Sequence, residues 1–175
     1  MIELSPFGQR MAIRAARKLF DESIGIPDRM PERETTLEQR IDDTGSEVAL
    51  VQMLLTHPGL PLAYRDELEA WDPIQTVNTY GDVPDIAVGR GIDVRHRHGS
   101  RFDDLILRRD DHRERIWAQM IGYWPIYEFA GFVLPAKLGD LTRFRKTYGK
   151  KHLEPVSGLP WRVRNFLLAD LIRAL

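Results

Sequence analysis

Two short runs of alternating apolar residues, Val83-Pro84-Asp85-Ile86-Ala87-Val88 and Ile92-Asp93-Val94-Arg95-His96-Arg97-His98, flank Gly89-Arg90-Gly91. A three-residue loop containing glycine joins antiparallel strands, so the stretch from Val83 to His98 is expected to form a small β-hairpin. Side chains alternate along a strand, and the odd loop length fixes the parity of the two runs. With Gly89 facing Gly91, Ile86, Val88, Ile92 and Val94 share the buried face. Asp85, Asp93 and Arg95 then crowd the other face, with only Ala87 among them. An ordinary solvated strand spreads its charge; here two carboxylates and a guanidinium fall on one small patch.

A chain of 175 residues is long enough for one well-buried core. No Pro/Gly/Ser-rich linker divides it, so residues 1–175 are read as a single domain. The absence of cysteine excludes disulfides, thiolate zinc sites and a cysteine nucleophile. No apolar run approaches the roughly 20 residues that span a bilayer. The stretch from Met1 to Phe20 is interrupted by Arg10, Arg14, Arg17 and Lys18, which argues against export. The expected location is the cytoplasm, with no membrane partner.

The net charge of −1 conceals an asymmetry. Residues 1–94 hold nine Lys/Arg against seventeen Asp/Glu, whereas residues 95–151 hold thirteen against seven. A basic segment supplies a local footprint for a polyanion even in a neutral protein, and equally a solvated mixed-charge surface. Within it Arg97, Arg143, Arg145, Lys146, Lys150 and Lys151, with Phe144 and Tyr148 interleaved, are candidate nucleic-acid contacts.

Ser5-Pro6 followed by an apolar stripe predicts a first helix. Residues 24–44 are polar and read as a surface loop or a short helical excursion. Ser46 is the expected cap of an apolar helix that ends at His57-Pro58-Gly59, which puts Glu47 in a first turn, where a carboxylate suits the macrodipole. Leu60–Trp71 reads as a short amphipathic stretch and Ile74–Tyr80 as a strand. Leu105–Leu107 and Ile116–Ile121 are expected to be two paired strands, followed by a strand over Ile126–Leu134. A terminal helix is expected within Trp161–Leu175. The fold class is therefore α/β or α+β, a central mixed sheet of five or six strands flanked by helices.

Two carboxylates on adjacent strands suit a hard divalent cation, Mg²⁺ or Mn²⁺, which keeps positions for water and a substrate phosphate. Pro84-Asp85 followed by Asp93-Val94-Arg95 resembles the signature of the PD-(D/E)XK phosphodiesterase superfamily, which includes restriction endonucleases, recombination exonucleases and Holliday-junction resolvases. Within it the chain is similar to small proteins of phages and prophages. The matching stretches are Gly-x-Glu-x-Ala at Gly45–Ala49, Val77-Asn78-Thr79, Asp85, Ile92–Arg95, the Leu105–Asp111 segment and Gly131-Phe132-Val133. The resemblance covers residues 45–134, with residues 1–44 and 135–175 outside it. It implies a restriction-endonuclease-like core and a nuclease cleaving DNA in a host cytoplasm. Asp85 and Asp93 would be metal ligands, Glu47 an accessory ligand and Arg95 the phosphate-orienting cation. Arg95 stands where the superfamily usually has lysine, and arginine does not act as a general base. A catalytically inactive scaffold that binds DNA or a protein is the alternative. His96 and His98 fall on the opposite strand face from Asp93 and read as terminal residues rather than zinc ligands.

Overall fold

The computed structural model describes residues 1–23, 36–76, 83–98, 107–108, 114–134, 144–146, 152–155 and 168–175. The chain begins with a two-residue strand β1 (Ile2–Glu3) and helix α1 (Pro6–Ser23). Ser5 caps α1 by accepting the Gly8 N–H at 3.1 Å, with Pro6 at the first helical position, as the sequence predicts.

Helix α2 (Leu37–Thr56) starts nine residues before the expected cap at Ser46. Thr36 and Gln39 form a reciprocal capping box, each side chain bonded to the other's backbone N–H, at 3.2 and 3.0 Å. Ser46 lies inside the helix and returns its hydroxyl to the Asp43 carbonyl at 2.6 Å. Part of the segment read as a surface loop or a short helical excursion thus belongs to a long helix, and residues 24–35 lie outside the described residues. The consequence for Glu47 is direct. It stands in the middle of a 20-residue helix, where no macrodipole accounts for its charge.

His57 closes α2, its N–H on the Leu54 carbonyl and its Nδ1 accepting the Gly59 N–H at 3.0 Å, a terminal role as expected. Helix α3 (Leu62–Ala70) and the single turn α4 (Pro73–Thr76) follow. The strand expected from Ile74 is therefore helical at its start. Asp72 Oδ1 accepts the Ile74 N–H at 2.9 Å, an Asx cap that competes with extended pairing. Residues 77–80 lie outside the described residues.

The remaining strands are β2 (Ile92–Arg97), β3 (Leu107–Arg108), β4 (Ile116–Tyr123), β5 (Ile126–Val133), β6 (Phe144–Lys146) and β7 (His152–Pro155), before helix α5 (Leu168–Ala174). The principal sheet has the order β1-β5-β4-β2. β4 is antiparallel to β5 and parallel to β2, with Ile92 level with Ile116 and Arg97 with Ile121. A second sheet has the order β3-β7-β6. Of the expected pair of strands Leu105–Leu107 and Ile116–Ile121, residues 105–106 lie outside the described residues, and β3, which holds Leu107, pairs β7 rather than β4, a choice that local sequence does not encode. The architecture is α+β with a mixed sheet. Among the described residues no helix is long and apolar enough to cross a membrane.

The hairpin is shorter than expected. One antiparallel bridge, Ile86 with Ile92, stands in place of two paired strands, closed by reciprocal backbone bonds of 2.9 and 3.0 Å. Its register places Ile86 opposite Ile92 rather than Val94, a shift of two that preserves parity. Ile86, Val88, Ile92 and Val94 are accordingly all buried. They join Leu50, Leu54, Leu68, Ile116, Ala118 and Met120 in one core between the sheet and α2 and α3.

Candidate functional site

Three elements fix Asp85. The bridge at Ile86 sets its backbone, and the indole Nε1 of Trp71, just past α3, donates to its carbonyl at 2.9 Å. Glu67 of α3 accepts the Gly89 N–H at 2.9 Å and so ties the turn to the same helix. Gly91 has a φ of 85°, and a Cβ there would lie 2.8 Å from the Pro84 ring, so only glycine lets the turn close over Pro84.

The two aspartates lie side by side. Asp85 Oδ2 accepts the Val94 N–H at 2.7 Å, and Asp93 Oδ1 lies 3.4 Å from the N–H of Asp85. The Val94 peptide thus contributes its N–H to the site. Asp93 is buried, and the cation against it is Arg115, with Nη1 3.3 Å from Oδ1 and 3.5 Å from Oδ2. Side-chain exposure of 9% and 7% makes this a desolvated ion pair.

Arg115 was not among the residues the sequence singles out. It comes to Asp93 because β4 lies parallel to β2 and the Ile116 N–H bonds the Gly91 carbonyl at 3.0 Å, a pairing across 25 residues. Arg95, the expected cation, lies with its guanidinium carbon 4.4 Å from the ring centroid of Trp117, a cation–π contact. It is still close enough to Asp85 and Asp93 to favour their charged forms.

Glu47 approaches from α2. Burial raises its pKa well above the usual carboxylate range, and the charges of Asp85, Asp43 and Asp93 raise it further, against a smaller opposing effect of Arg40. Burial likewise pushes Asp85 up to about 6; Asp93 adds to the rise, while the Val94 N–H, Arg95 and Arg115 oppose it. Asp93 is also raised by burial, in spite of Arg115. The structure thus brings Glu47, Asp85 and Asp93 into one electrostatic unit in which negative charge is disfavoured.

That donor set, all carboxyl oxygen and partly shielded from water, is chemically suited to a hard divalent cation. Among the described residues no three His, Cys, Asp or Glu side chains stand at the mutual spacing of a metal site. Holding one ion would draw the carboxylates closer than they stand and share Asp93 between the ion and Arg115.

Of the candidate nucleic-acid contacts, Arg97 ends β2 and Arg145 and Lys146 lie in β6. Arg143, Lys150 and Lys151 lie outside the described residues. Comparison with protein-family models, curated proteins and solved structures returns no match.

Proposed function

We propose that this chain is a divalent-metal-dependent phosphodiesterase acting on DNA. One observation carries the reading: three carboxylates from a helix and from both sides of a tight turn converge where their charge is disfavoured, and two arginines border them. Like charges gathered at the cost of desolvation are a mark of functional sites. Glu47, Asp85 and Asp93 would hold Mg²⁺ or Mn²⁺, which when bound activates water and offsets charge on a phosphate. Arg115 and Arg95 present planar forks suited to phosphate oxygens. Neither releases its proton at neutral pH, so the proton of an attacking water has to pass to a carboxylate or to bulk water. Placement in the PD-(D/E)XK superfamily remains part of this proposal and rests on Asp85, Asp93 and Glu47.

A second reading, the inactive scaffold, is favoured by the Asp93–Arg115 pair, which neutralises one carboxylate without any ion. Cleavage assays on single-stranded, duplex and branched DNA with Mg²⁺ or Mn²⁺ decide between them. The phosphodiesterase reading expects ion-dependent cleavage that falls by about 100-fold or more in Asp85→Asn and Asp93→Asn, the scale of removing one transition-state-stabilising group. Cleavage that survives both substitutions overturns the assigned site. Salt-sensitive DNA binding without cleavage selects the scaffold.

A further inference from the structure

On the other face of β2, His96 lies with 2% of its side chain exposed. Each of its ring nitrogens faces an acceptor. Nδ1 is 3.4 Å from the Asp43 carboxylate of α2, and Nε2 is 3.1 Å from the Gly122 carbonyl near the end of β4. A neutral imidazole carries one N–H and can satisfy only one of them; the other nitrogen would turn its lone pair toward oxygen. The doubly protonated ring donates to both.

We propose that His96 is a pH-operated clamp, joining α2 to the sheet when both ring nitrogens carry protons and releasing Asp43 when one proton leaves. The asymmetry of the two acceptors decides which contact is lost. Gly122 is fixed in β4, whereas the Asp43 side chain is 56% exposed and can turn to water. Asp43 precedes Glu47 by one helical turn, and His96 follows Asp93 by three residues on β2. The clamp therefore sets the position of the α2 carboxylate relative to the strand carboxylate. It stands on these contacts alone and does not depend on the proposed reaction.

Among the described residues, several other groups bear on the ring. His98 of β2's extension packs edge-on at 4.8 Å, and a second positive charge there would oppose protonation of His96. Asp42 offsets it, 3.8 Å from His98 Nε2. Tyr127 of β5 packs edge-on at 5.6 Å and bonds Asp42 through its hydroxyl at 3.3 Å; burial and Asp42 raise its pKa, so it stays neutral. From α2, Arg40 lies one turn before Asp43 and Glu47 one turn after.

Long-range ¹H–¹⁵N correlation spectra of the His96 ring between pH 5 and 9 test the clamp in the wild-type protein. The expected result is a ring protonated on both nitrogens at the acidic end that loses its Nδ1 proton as pH rises, with the loss displaced to lower pH in Asp43→Asn. Hydrogen–deuterium exchange of the α2 amides should quicken through the same transition in wild type and not in Asp43→Asn. A single neutral tautomer throughout, a titration unmoved by Asp43→Asn, or α2 exchange indifferent to the transition overturns the proposal. Ring protonation and α2 exchange are both read on wild type, so those two readouts decide the test even where Asp43→Asn fails to fold. Nuclease activity does not enter it, so its outcome is separate from that of the phosphodiesterase assay.

Discussion

The side chain of Asp85 accepts the N–H that follows Asp93, and the side chain of Asp93 reaches toward the N–H of Asp85 itself. Each aspartate thus helps to hold the other's backbone, and the two carboxylates are kept together by the turn that separates them. That geometry has a cost in stability, and the cost is measurable.

Burial and Asp93 raise Asp85 from 3.8 to about 6. A folded-state pKa above the unfolded value means the folded protein binds the extra proton, so this stability is full below the unfolded pKa and is lost as pH rises through the folded one. Urea unfolding should accordingly show stability falling between about pH 4 and 6. Asp85→Asn keeps an oxygen for the Val94 N–H and removes the charge. It should be more stable than wild type at pH 7 by roughly 1–3 kcal/mol, with a flatter pH profile.

The buried pair of Asp93 and Arg115 behaves differently from the stacked Arg95. Truncating Arg115 leaves Asp93 without its nearest cation, and Arg115→Ala should lower stability by about 3–5 kcal/mol, as for breaking one side of a buried ion pair. Arg95→Ala loses a cation–π contact worth about 0.5–1 kcal/mol. Chemical denaturation of the two variants should show that order. The double variant Asp93→Asn/Arg115→Met should recover much of the Arg115→Ala loss.

Gly45 sets how closely α2 sits on the sheet. A Cβ at this position would overlap the Tyr127 hydroxyl and lie 3.0 Å from Trp124 Cε3. The same turn of α2 presents Asp42, which accepts the Trp124 N–H at 2.8 Å. Alanine improves helix propensity by up to about 1 kcal/mol, but overpacking costs about 1–3 kcal/mol. Gly45→Ala should therefore lower the thermal midpoint, and the displacement of α2 should reach Glu47 two residues on.

The indole of Trp71 carries one bond that matters to the site. Trp71→Phe keeps the apolar body and deletes the donor to the Asp85 carbonyl. A loss of about 1 kcal/mol is expected, with faster amide exchange across residues 85–92.

Local pattern made much of this legible. Parity around Gly89 and Gly91 identified the buried set Ile86, Val88, Ile92 and Val94 and put Asp85 on the same face as Asp93, and a two-residue error in register left that parity untouched. The α1 cap, the end of α2 at His57, and β4 and β5 also follow from local residues. What failed was non-local or competitive. Thr36 and Ser46 are both good caps, and the helix took the earlier one because Gln39 completes a capping box. Asp72 turned Ile74 into helix. Arg115 joins the site only through the parallel pairing of β2 with β4, whose partners are 24 residues apart, and no motif near Arg115 announces it.

Calorimetric titration of Mn²⁺ into the wild-type protein, Asp85→Asn and Glu47→Gln is the most direct test that these carboxylates form one cation site. One Mn²⁺ should bind wild type, with affinity falling by about tenfold or more in each variant, as for loss of a ligand or its orienting group. No binding to wild type, or equal binding to all three proteins, would contradict the account.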